Sequence, residues 1–373
     1  MKQIFSLLIL VAILLAFGAC EKKQANIIYD KSYIDEIKLA RKDIALYVAR
    51  NSIPGATFAI AKENEIIYSE GMGYASKELD VPMTRENKLR IGDVSQLFTC
   101  AIYLKLVEEG VLHPDSTVQH YIPNYPATEY KLAIKRLPYH TSGIRKENLR
   151  EGDLPGLNIS IQKGLESFKN HELNSPPGWY EEVSMFNTNL LGAVMERATK
   201  KKFPVLLKEY ITDTLHLTNT VVDDPSATIK GRTNFYDQNM MGQCINAPFR
   251  DMRYKAPYEG ILSNAEDLVK FGMAILESDY FGDEFEEKYF EPIDLYEGHK
   301  SNLANGWMFR LDKQGRLMYG SSGSVNGGGA AILIYPEYKL VIACAMNLTV
   351  GIDNLPVVDI ASHFLQDHGS EGK

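Results

Sequence analysis

The pattern of apolar positions along the chain predicts one helix that is buried on every side. The helix begins in the stretch 89–98 (Leu-Arg-Ile-Gly-Asp-Val-Ser-Gln-Leu-Phe) and runs to about Gly110. Beyond its opening residues it is apolar nearly all round, at Val94, Leu97, Phe98, Ala101, Ile102, Leu104, Leu106 and Val107. Because a surface helix keeps a polar face, this pattern is typical of a helix in the middle of a domain.

Apolar runs of strand length lie near both ends of the chain. An amphipathic helix at 33–50 precedes predicted strands at 56–61 and 66–68. Four more strands are predicted near the C-terminus, at 307–311, 317–319, 330–335 and 340–346, and a last helix begins near Pro356. This order indicates an α+β fold in which both chain ends build one antiparallel sheet around a helical insertion.

The region between about 113 and 299 has shorter helical patterns broken by Pro, Gly and Asn. Helices are predicted at 190–198, 203–211 and 268–276, the last preceded by a capping box at 263–266. We expect the acidic and aromatic stretch 283–297 to be a solvated, partly helical face.

The N-terminus has the features of a targeting segment. Lys2 is followed by an apolar run from Ile4 to Phe17, which is too short for a comfortable transmembrane helix. The run ends at Phe17-Gly18-Ala19-Cys20, which is similar to a bacterial lipobox, although an ordinary signal peptide that stops at a cysteine fits as well. We therefore expect residues 1–19 to be a signal peptide, Cys20 to carry a lipid, residues 20–30 to be a tether and 31–373 to be the domain.

Charge and cysteine usage exclude several function classes. The formal net charge of −8 argues against a nucleic-acid partner and against a basic membrane-binding patch, so we expect membrane contact through the lipid anchor only. The other three cysteines, Cys100, Cys244 and Cys344, are too scattered for a disulfide framework. No Cys or His pair has zinc-site spacing, and we expect no metal or other cofactor.

Several collinear motifs carry a resemblance to a known family. They include 107–112 (Val-Glu-Glu-Gly-Val-Leu), 140–144 (His-Thr-Ser-Gly-Ile) and 189–192 (Asn-Leu-Leu-Gly). With the stretch 89–98, they resemble the serine β-lactamases and penicillin-binding proteins, in particular class C β-lactamases and their esterase and D-aminopeptidase relatives. The resemblance implies an α/β part at about 31–112 and 300–373 and a mostly helical part at about 113–299.

The resemblance also implies three catalytic motifs, and this chain departs from each of them. Where the family has the nucleophile and lysine of Ser-x-x-Lys, the chain has Asp93 and Gln96. Where the family has Tyr-x-Asn, the chain has Val183 and Met185, and Ser321 replaces the Lys or His of the third motif. The fold is therefore expected to persist without the base and cation that activate a serine.

The chain has other residues that could replace the lost groups. Ser321 or Ser322, beside the Gly-rich turn 320–327 with Gly323, is a candidate relocated nucleophile, although no partner base is evident. Ser160 and Lys163 also have Ser-x-x-Lys spacing, but one such match is expected by chance in a chain of this length. Asp93 is interpreted as a helix-start residue stabilised by unpaired N–H groups. The resemblance implies that His140 is structural.

These observations leave three functional hypotheses. The first is a catalytically inactive envelope lipoprotein, facing the periplasm or cell exterior, with a binding or scaffolding role. The second is a serine hydrolase (an esterase, D-aminopeptidase or β-lactamase-like enzyme) with a relocated nucleophile. The third is a structural lipoprotein with an empty cleft. Because Asp93 stands in place of the Ser and Lys of the family, and position 321 has no His or Lys, we expect the cleft to repel anions. It should bind, if anything, a neutral or cationic small molecule, peptide or envelope protein.

Overall fold

The computed structural model describes residues 26–148, 151, 157, 160–276, 280–282, 288–351 and 355–365. The predicted signal peptide, Cys20 and the start of the tether lie outside these residues. The strands are β1 Ile27–Tyr29, β2 Gly55–Lys62, β3 Glu65–Ser76, β4 Val81–Pro82, β5 Leu89–Arg90, β6 Val221–Val222, β7 Tyr236–Gln238, β8 Cys244–Asn246, β9 Ile261–Ser263, β10 Leu303–Ala304, β11 Trp307–Leu311, β12 Leu317–Val325, β13 Gly328–Tyr335 and β14 Leu340–Met346.

One antiparallel sheet joins the two ends of the chain, as the sequence predicted. Its order is β1-β3-β2-β14-β13-β12-β11-β10, with β4 paired to β3 at the side. The C-terminal strand β14 pairs with the N-terminal strand β2 over seven residue pairs, from Leu340 opposite Lys62 to Met346 opposite Ala56. The predicted α+β architecture with a sheet built from both termini is therefore confirmed.

Helices cover both faces of this sheet. The α-helices of the described residues, including those of the helical insertion, are α1 Ile34–Arg50, α2 Ser95–Glu108, α3 Val118–Tyr121, α4 Ile161–Leu165, α5 Met185–Thr199, α6 Phe203–Leu207, α7 Ala265–Leu276 and α8 Val357–Ser362. Ala330, Ile332 and Ile334 of β13 belong to the core shared with α2, α5 and α7, whereas Ala331 and Leu333 belong to the core under α1 and α8. Because both faces are covered, β13 and β14 are apolar without alternation.

The buried central helix is confirmed, but it begins later than predicted. Leu89–Arg90 is a short strand, and a 3-10 turn at Gly92–Val94 leads into α2 at Ser95. Every α2 side chain from Ser95 to Leu104 is buried, and Leu106 is buried as well. The helix therefore fixes the position of the residues that precede it.

Three local predictions were wrong. The stretch 320–327 is mostly strand β12, and only Asn326 and Gly327 form the turn to β13. The cap of α7 is Asn264, whose Oδ1 accepts the backbone N–H of Asp267 at 2.8 Å, while Ser263 still belongs to β9. The predicted helix 203–211 changes geometry after Leu207, where a π-helical turn, Lys208–Thr212, follows α6.

The stretch 283–297 is less solvated than predicted. Residues 283–287 lie outside the described part of the chain. In the remainder, Tyr289 is fully buried, and its hydroxyl accepts a hydrogen bond from Trp307 Nε1 at 2.9 Å. Its aromatic ring also packs at an angle against Phe281 and edge-on against Phe290, so this segment closes the core beside β11.

Candidate functional site

The elements predicted to carry the site meet at the start of α2. Asp93 lies in the 3-10 turn Gly92–Val94, and the middle of β12 packs directly against it. A Cβ atom on Gly323 would lie 2.2 Å from the backbone nitrogen of Asp93. Only a glycine permits this approach of β12 to the turn.

The carboxyl group of Asp93 keeps some contact with solvent, yet protein encloses most of it. Loss of hydration raises its pKa to about 8, and repulsion from Glu259 and Glu147 adds to the rise. A hydrogen bond from Tyr258 and the nearby charge of Lys255 oppose the rise. The carboxyl group is therefore mostly protonated at pH 7.

This environment overturns two expectations about Asp93. The interpretation as a charge stabilised by the helix start is wrong, because its side chain caps neither the 3-10 turn nor α2. A stabilising helix terminus would also lower the pKa rather than raise it. Since the group is mostly neutral at pH 7, Asp93 itself repels anionic ligands much less than the sequence suggested.

Gln96, one helical turn after Asp93, takes part in a buried hydrogen-bonded chain. Its Oε1 lies 2.9 Å from Nε2 of His140, and Nδ1 of His140 accepts the backbone N–H of Ser184 at 3.3 Å. Because Nδ1 accepts, Nε2 carries the hydrogen and donates to Gln96. Burial lowers the pKa of His140 to about 4, so the ring is neutral at pH 7.

The second motif position lies at the start of α5. Ser184 caps this helix: its Oγ accepts the backbone N–H of Phe186 at 3.2 Å and donates to Glu147 Oε2 at 2.9 Å. On either side, Met185 is fully buried, whereas 41% of Val183 is exposed. Only Val183 of the two replaced positions is therefore accessible to a ligand.

The third motif position lies on β12, where successive side chains point to opposite faces. Ser321 pairs with Ile332 and shares the face of Gly323, towards Asp93. Ser322 pairs with Ala331 and faces the core under α1 and α8. Ser322 therefore lies on the face of β12 away from Asp93, although it is among the residues that line the cavity described next.

A cavity of about 270 Å³ lies beside Val183 and Ser321. Its lining is mostly apolar and includes Met318, Leu333 and Val357 of the core under α1 and α8, so much of the cavity lies on the face of β12 away from Asp93. At its edge, Glu181 Oε2 accepts the backbone N–H of Asn302 at 2.7 Å, and burial raises the pKa of Glu181. Within the described ranges, no group of three or more His, Cys, Asp or Glu side chains could hold a metal ion.

The Beta-lactamase family model matches residues 40–362, which is most of the chain. The protein belongs to the Beta-lactamase family. The predicted resemblance is thereby confirmed, and α2, α5 and every strand of the sheet except β1 lie within the matched region.

Relatives within and around the family are distant. The chain is 28% identical over 324 residues to the human serine beta-lactamase-like protein LACTB, mitochondrial, in a match covering 68% of this chain and 57% of that protein. It thus spans less than three-fifths of that relative. FmtA from Staphylococcus aureus superposes with a TM-score of 0.77 at 18% identity, covering 95% of both chains. A class C beta-lactamase gives a TM-score of 0.74 at 16% identity, covering 92% of this chain and 99% of that one. At these identities the structures show the shared fold.

Sequence reasoning missed the residues that surround Asp93 in this Beta-lactamase family member. Tyr258 and Glu259 lie in the loop before β9, and Lys255, which donates to Glu259 at 2.8 Å, lies just before them. No periodicity or motif marks this loop, because its side chains reach the site only through tertiary packing. The one signal in the sequence is the mixture of aromatic and charged residues at 254–259, which is unusual for a loop.

Proposed function

We propose that this protein is a non-hydrolytic, envelope-anchored member of the Beta-lactamase family that binds a ligand beside the former catalytic site, in the cavity lined by Val183 and Ser321. The observation that carries the proposal is the chain from Gln96 through His140 to Ser184. In this chain a neutral amide and a neutral imidazole take up the space where a hydrolase needs a base beside its nucleophile. Asp93, being mostly protonated, adds no strong base.

The hydroxyl groups around the site are already committed to structural hydrogen bonds or lack a base. Ser95 Oγ accepts the backbone N–H of Ile261 at 3.3 Å, and Ser184 caps α5. Ser160 caps α4 through the backbone N–H of Lys163. Ser321 makes no side-chain hydrogen bond to a described residue. A relocated serine nucleophile therefore has no support in the hydrogen bonding of the described residues.

The cavity indicates the chemistry of the ligand. Its volume of about 270 Å³ fits a small molecule or one large side chain, and its walls are mostly apolar. Two residues before Glu181, which lines the cavity, Trp179 stacks on Tyr296 with ring centroids 4.7 Å apart, and the two side chains are 41% and 54% exposed. An apolar ligand that is neutral or cationic suits these walls, since exposed aromatic faces also attract cations.

The envelope location rests on the N-terminal sequence. We propose that cleavage after Ala19 leaves Cys20 as a lipid-modified first residue, which holds the domain at the membrane. No helix among the described residues is long and apolar enough to span a bilayer. The mass of the N-terminal peptide of the mature protein tests this part: a diacylglyceryl or triacyl adduct on Cys20 supports it, and an unmodified cysteine contradicts it.

The absence of hydrolysis is tested by the intact mass of the purified protein after incubation with a fluorophosphonate and, separately, with a penicillin. We expect no adduct with either reagent on protein shown to be folded by circular dichroism. A family member that retains Ser-x-x-Lys serves as the positive control. A stoichiometric adduct would refute the proposal, and peptide mapping would identify the serine.

Ligand binding is tested by thermal shift with uncharged alkyl amides and alkylammonium ions. We expect at least one probe to raise Tm in the wild-type protein and to lose this effect in Val183→Asp. The matched control is Val205→Asp on α6, since Val205 is 43% exposed and lies outside the cavity. An unchanged Tm with every probe would favour the structural hypothesis with an empty cleft.

A further inference from the structure

One end of the molecule carries exposed apolar side chains on two neighbouring turns. Leu79, in the turn between β3 and β4, is 74% exposed. Met240 and Met241, at the tip of the β7–β8 hairpin, are 105% and 79% exposed, and Phe249 just after β8 is 59% exposed. Clustered exposure of this kind marks an interaction site more often than isolated apolar residues do. We call Leu79, Met240, Met241 and Phe249 the apolar tip surface.

Hydrogen bonds hold the two turns together at this end. The hydroxyl of Tyr236 on β7 accepts the backbone N–H of Lys77 at 2.7 Å and donates to Glu78 Oε2 at 2.5 Å. Gln238 Nε2 donates to the carbonyl oxygen of Asn51, just past the end of α1, at 3.0 Å. The hairpin is therefore fixed to the same end of the sheet as the β3–β4 turn.

The methionines are presented on an ordered tip. The side-chain oxygen of Asn239 accepts the backbone N–H groups of Met241 and Gln243, both at 3.0 Å. Asn239 Nδ2 donates to Gln243 Oε1 at 2.8 Å, and Gly242 takes a φ of +74° that closes the loop. These hydrogen bonds keep Met240 and Met241 exposed to solvent, where their apolar side chains contribute no burial free energy to folding.

The N-terminal segment leaves the domain at this same end. Asn26 is fixed by its side chain, which donates to the carbonyl oxygen of Gly71 at 3.0 Å and accepts the backbone N–H of Arg85 at 3.1 Å. Gly71 lies five residues before Ser76, the last residue of β3, and the β3–β4 turn begins directly after Ser76. Five residues lie between Cys20 and Asn26, so the two are separated by roughly 20 Å at most. A lipid on Cys20 would keep this end close to the bilayer.

We propose that the apolar tip surface inserts into the headgroup boundary of the membrane that holds the lipid anchor. The proposal rests on the lipid modification of Cys20 under the proposed function, which brings this end to the bilayer. The hairpin from Tyr236 to Phe249 has a single charged residue, Asp237, and the turn that carries Leu79 holds Lys77, Glu78 and Asp80, so the surface has no excess of positive charge. Binding therefore depends on apolar side chains and not on anionic lipids. The acyl chains on Cys20 supply the stable attachment, and the tip surface adds a second contact with the same bilayer.

The test uses the full chain produced in a bacterial envelope and reconstituted in phosphatidylcholine vesicles, with or without brominated acyl chains. The reporter is Met241→Trp, and the matched control is Val205→Trp in the helical layer, an exposed position remote from the tip by its place in the fold. Emission is measured as the difference from the wild-type chain, which has Trp179 and Trp307.

We expect brominated lipid to reduce the emission of Met241→Trp by roughly half and to leave Val205→Trp unchanged, because inserted apolar residues reach about 5–10 Å below the headgroups. No quenching of Met241→Trp in lipidated, reconstituted protein would overturn the proposal and favour a protein partner. The intact mass of the protein shows whether Cys20 carries its lipid, so a missing anchor can be told apart from a tip surface that does not insert. If Cys20 is unmodified, the same reporters with added vesicles test the surface alone, and absence of quenching there also overturns it.

Discussion

Replacement of Asp93 by Asn tests whether the former nucleophile position holds a buried, protonated carboxyl group. The substitution keeps the shape of the side chain and removes its ionisation. In the folded protein, desolvation raises the pKa of Asp93 to about 8 from an ordinary value of 3.8. Between these values the unfolded chain releases the proton while the folded protein retains it. The wild-type protein therefore loses stability as pH rises through this window.

The expected magnitude follows from linkage. Each pH unit inside the window lowers the free energy of unfolding of the wild-type protein by about 1.4 kcal/mol relative to the variant. From pH 5 to pH 8 the advantage of Asp93→Asn should grow by about 4 kcal/mol, and above pH 8 it should stay constant. His140 has the opposite effect, because its depressed pKa of about 4 destabilises the fold as pH falls below 6.5. This contribution is common to both proteins and cancels in the difference.

The assay is urea denaturation of both proteins at five pH values from 5 to 9, followed by circular dichroism. The matched control is Asp80→Asn, at an exposed residue of the β3–β4 turn that tolerates Asn at its φ of +51°. We expect the control variant to follow the wild-type pH profile. Parallel profiles for Asp93→Asn and the wild type would refute the raised pKa and the enclosed environment from which it is derived.

Two further predictions concern the packing of the site. His140→Asn suits the φ of +53° at this position and should lower the free energy of unfolding by about 2–3 kcal/mol, because Gln96 and a backbone N–H lose their partner. Adding Gln96→Leu should restore part of this loss. Purely additive effects of the two substitutions would contradict the hydrogen-bonded chain. Gly323→Ala should lower the free energy of unfolding by about 3 kcal/mol, because the new Cβ atom would lie 2.2 Å from the backbone nitrogen of Asp93. The control is Gly320→Ala on the same strand, which should lower it by less because the nearest atom to its Cβ is 3.3 Å away. Thermal denaturation compares each pair, and equal losses for the two glycine variants would contradict the close approach of β12.

The sheet and the central helix could be predicted because burial leaves a direct trace in the sequence. The apolar runs at 340–346 and 56–61 correspond to two adjacent strands, and the all-round apolar pattern after Val94 corresponds to a helix buried along its length. The end of β12 could not be predicted from its composition. Its glycines and serines are typical of a turn, but pairing with β13 extends the strand to Val325.

The candidate site was only partly accessible from sequence. Motif spacing located Asp93, Gln96 and Val183, and the structure places all three around the start of α2 and α5. The protonation of Asp93 could not be predicted, because it depends on Tyr258 and Glu259, which are more than 160 residues away in the chain. Long-range packing of this kind determines electrostatics and leaves no local signal.

The replacements differ in what they cost the fold, and this difference bears on function. Gln96 is satisfied by His140, so the former lysine position has become part of the protein core. Asp93 does not stabilise the core in this way. Near neutral pH its enclosed carboxyl group lowers the free energy of unfolding, and an Asn of equal size would avoid this ionisation cost. A protonated carboxyl group can, however, donate a hydrogen bond to a neutral carbonyl oxygen, as an ionised one cannot. A role of Asp93 in binding a neutral ligand would offset its cost, and the binding of such a ligand should then weaken as pH rises above 8.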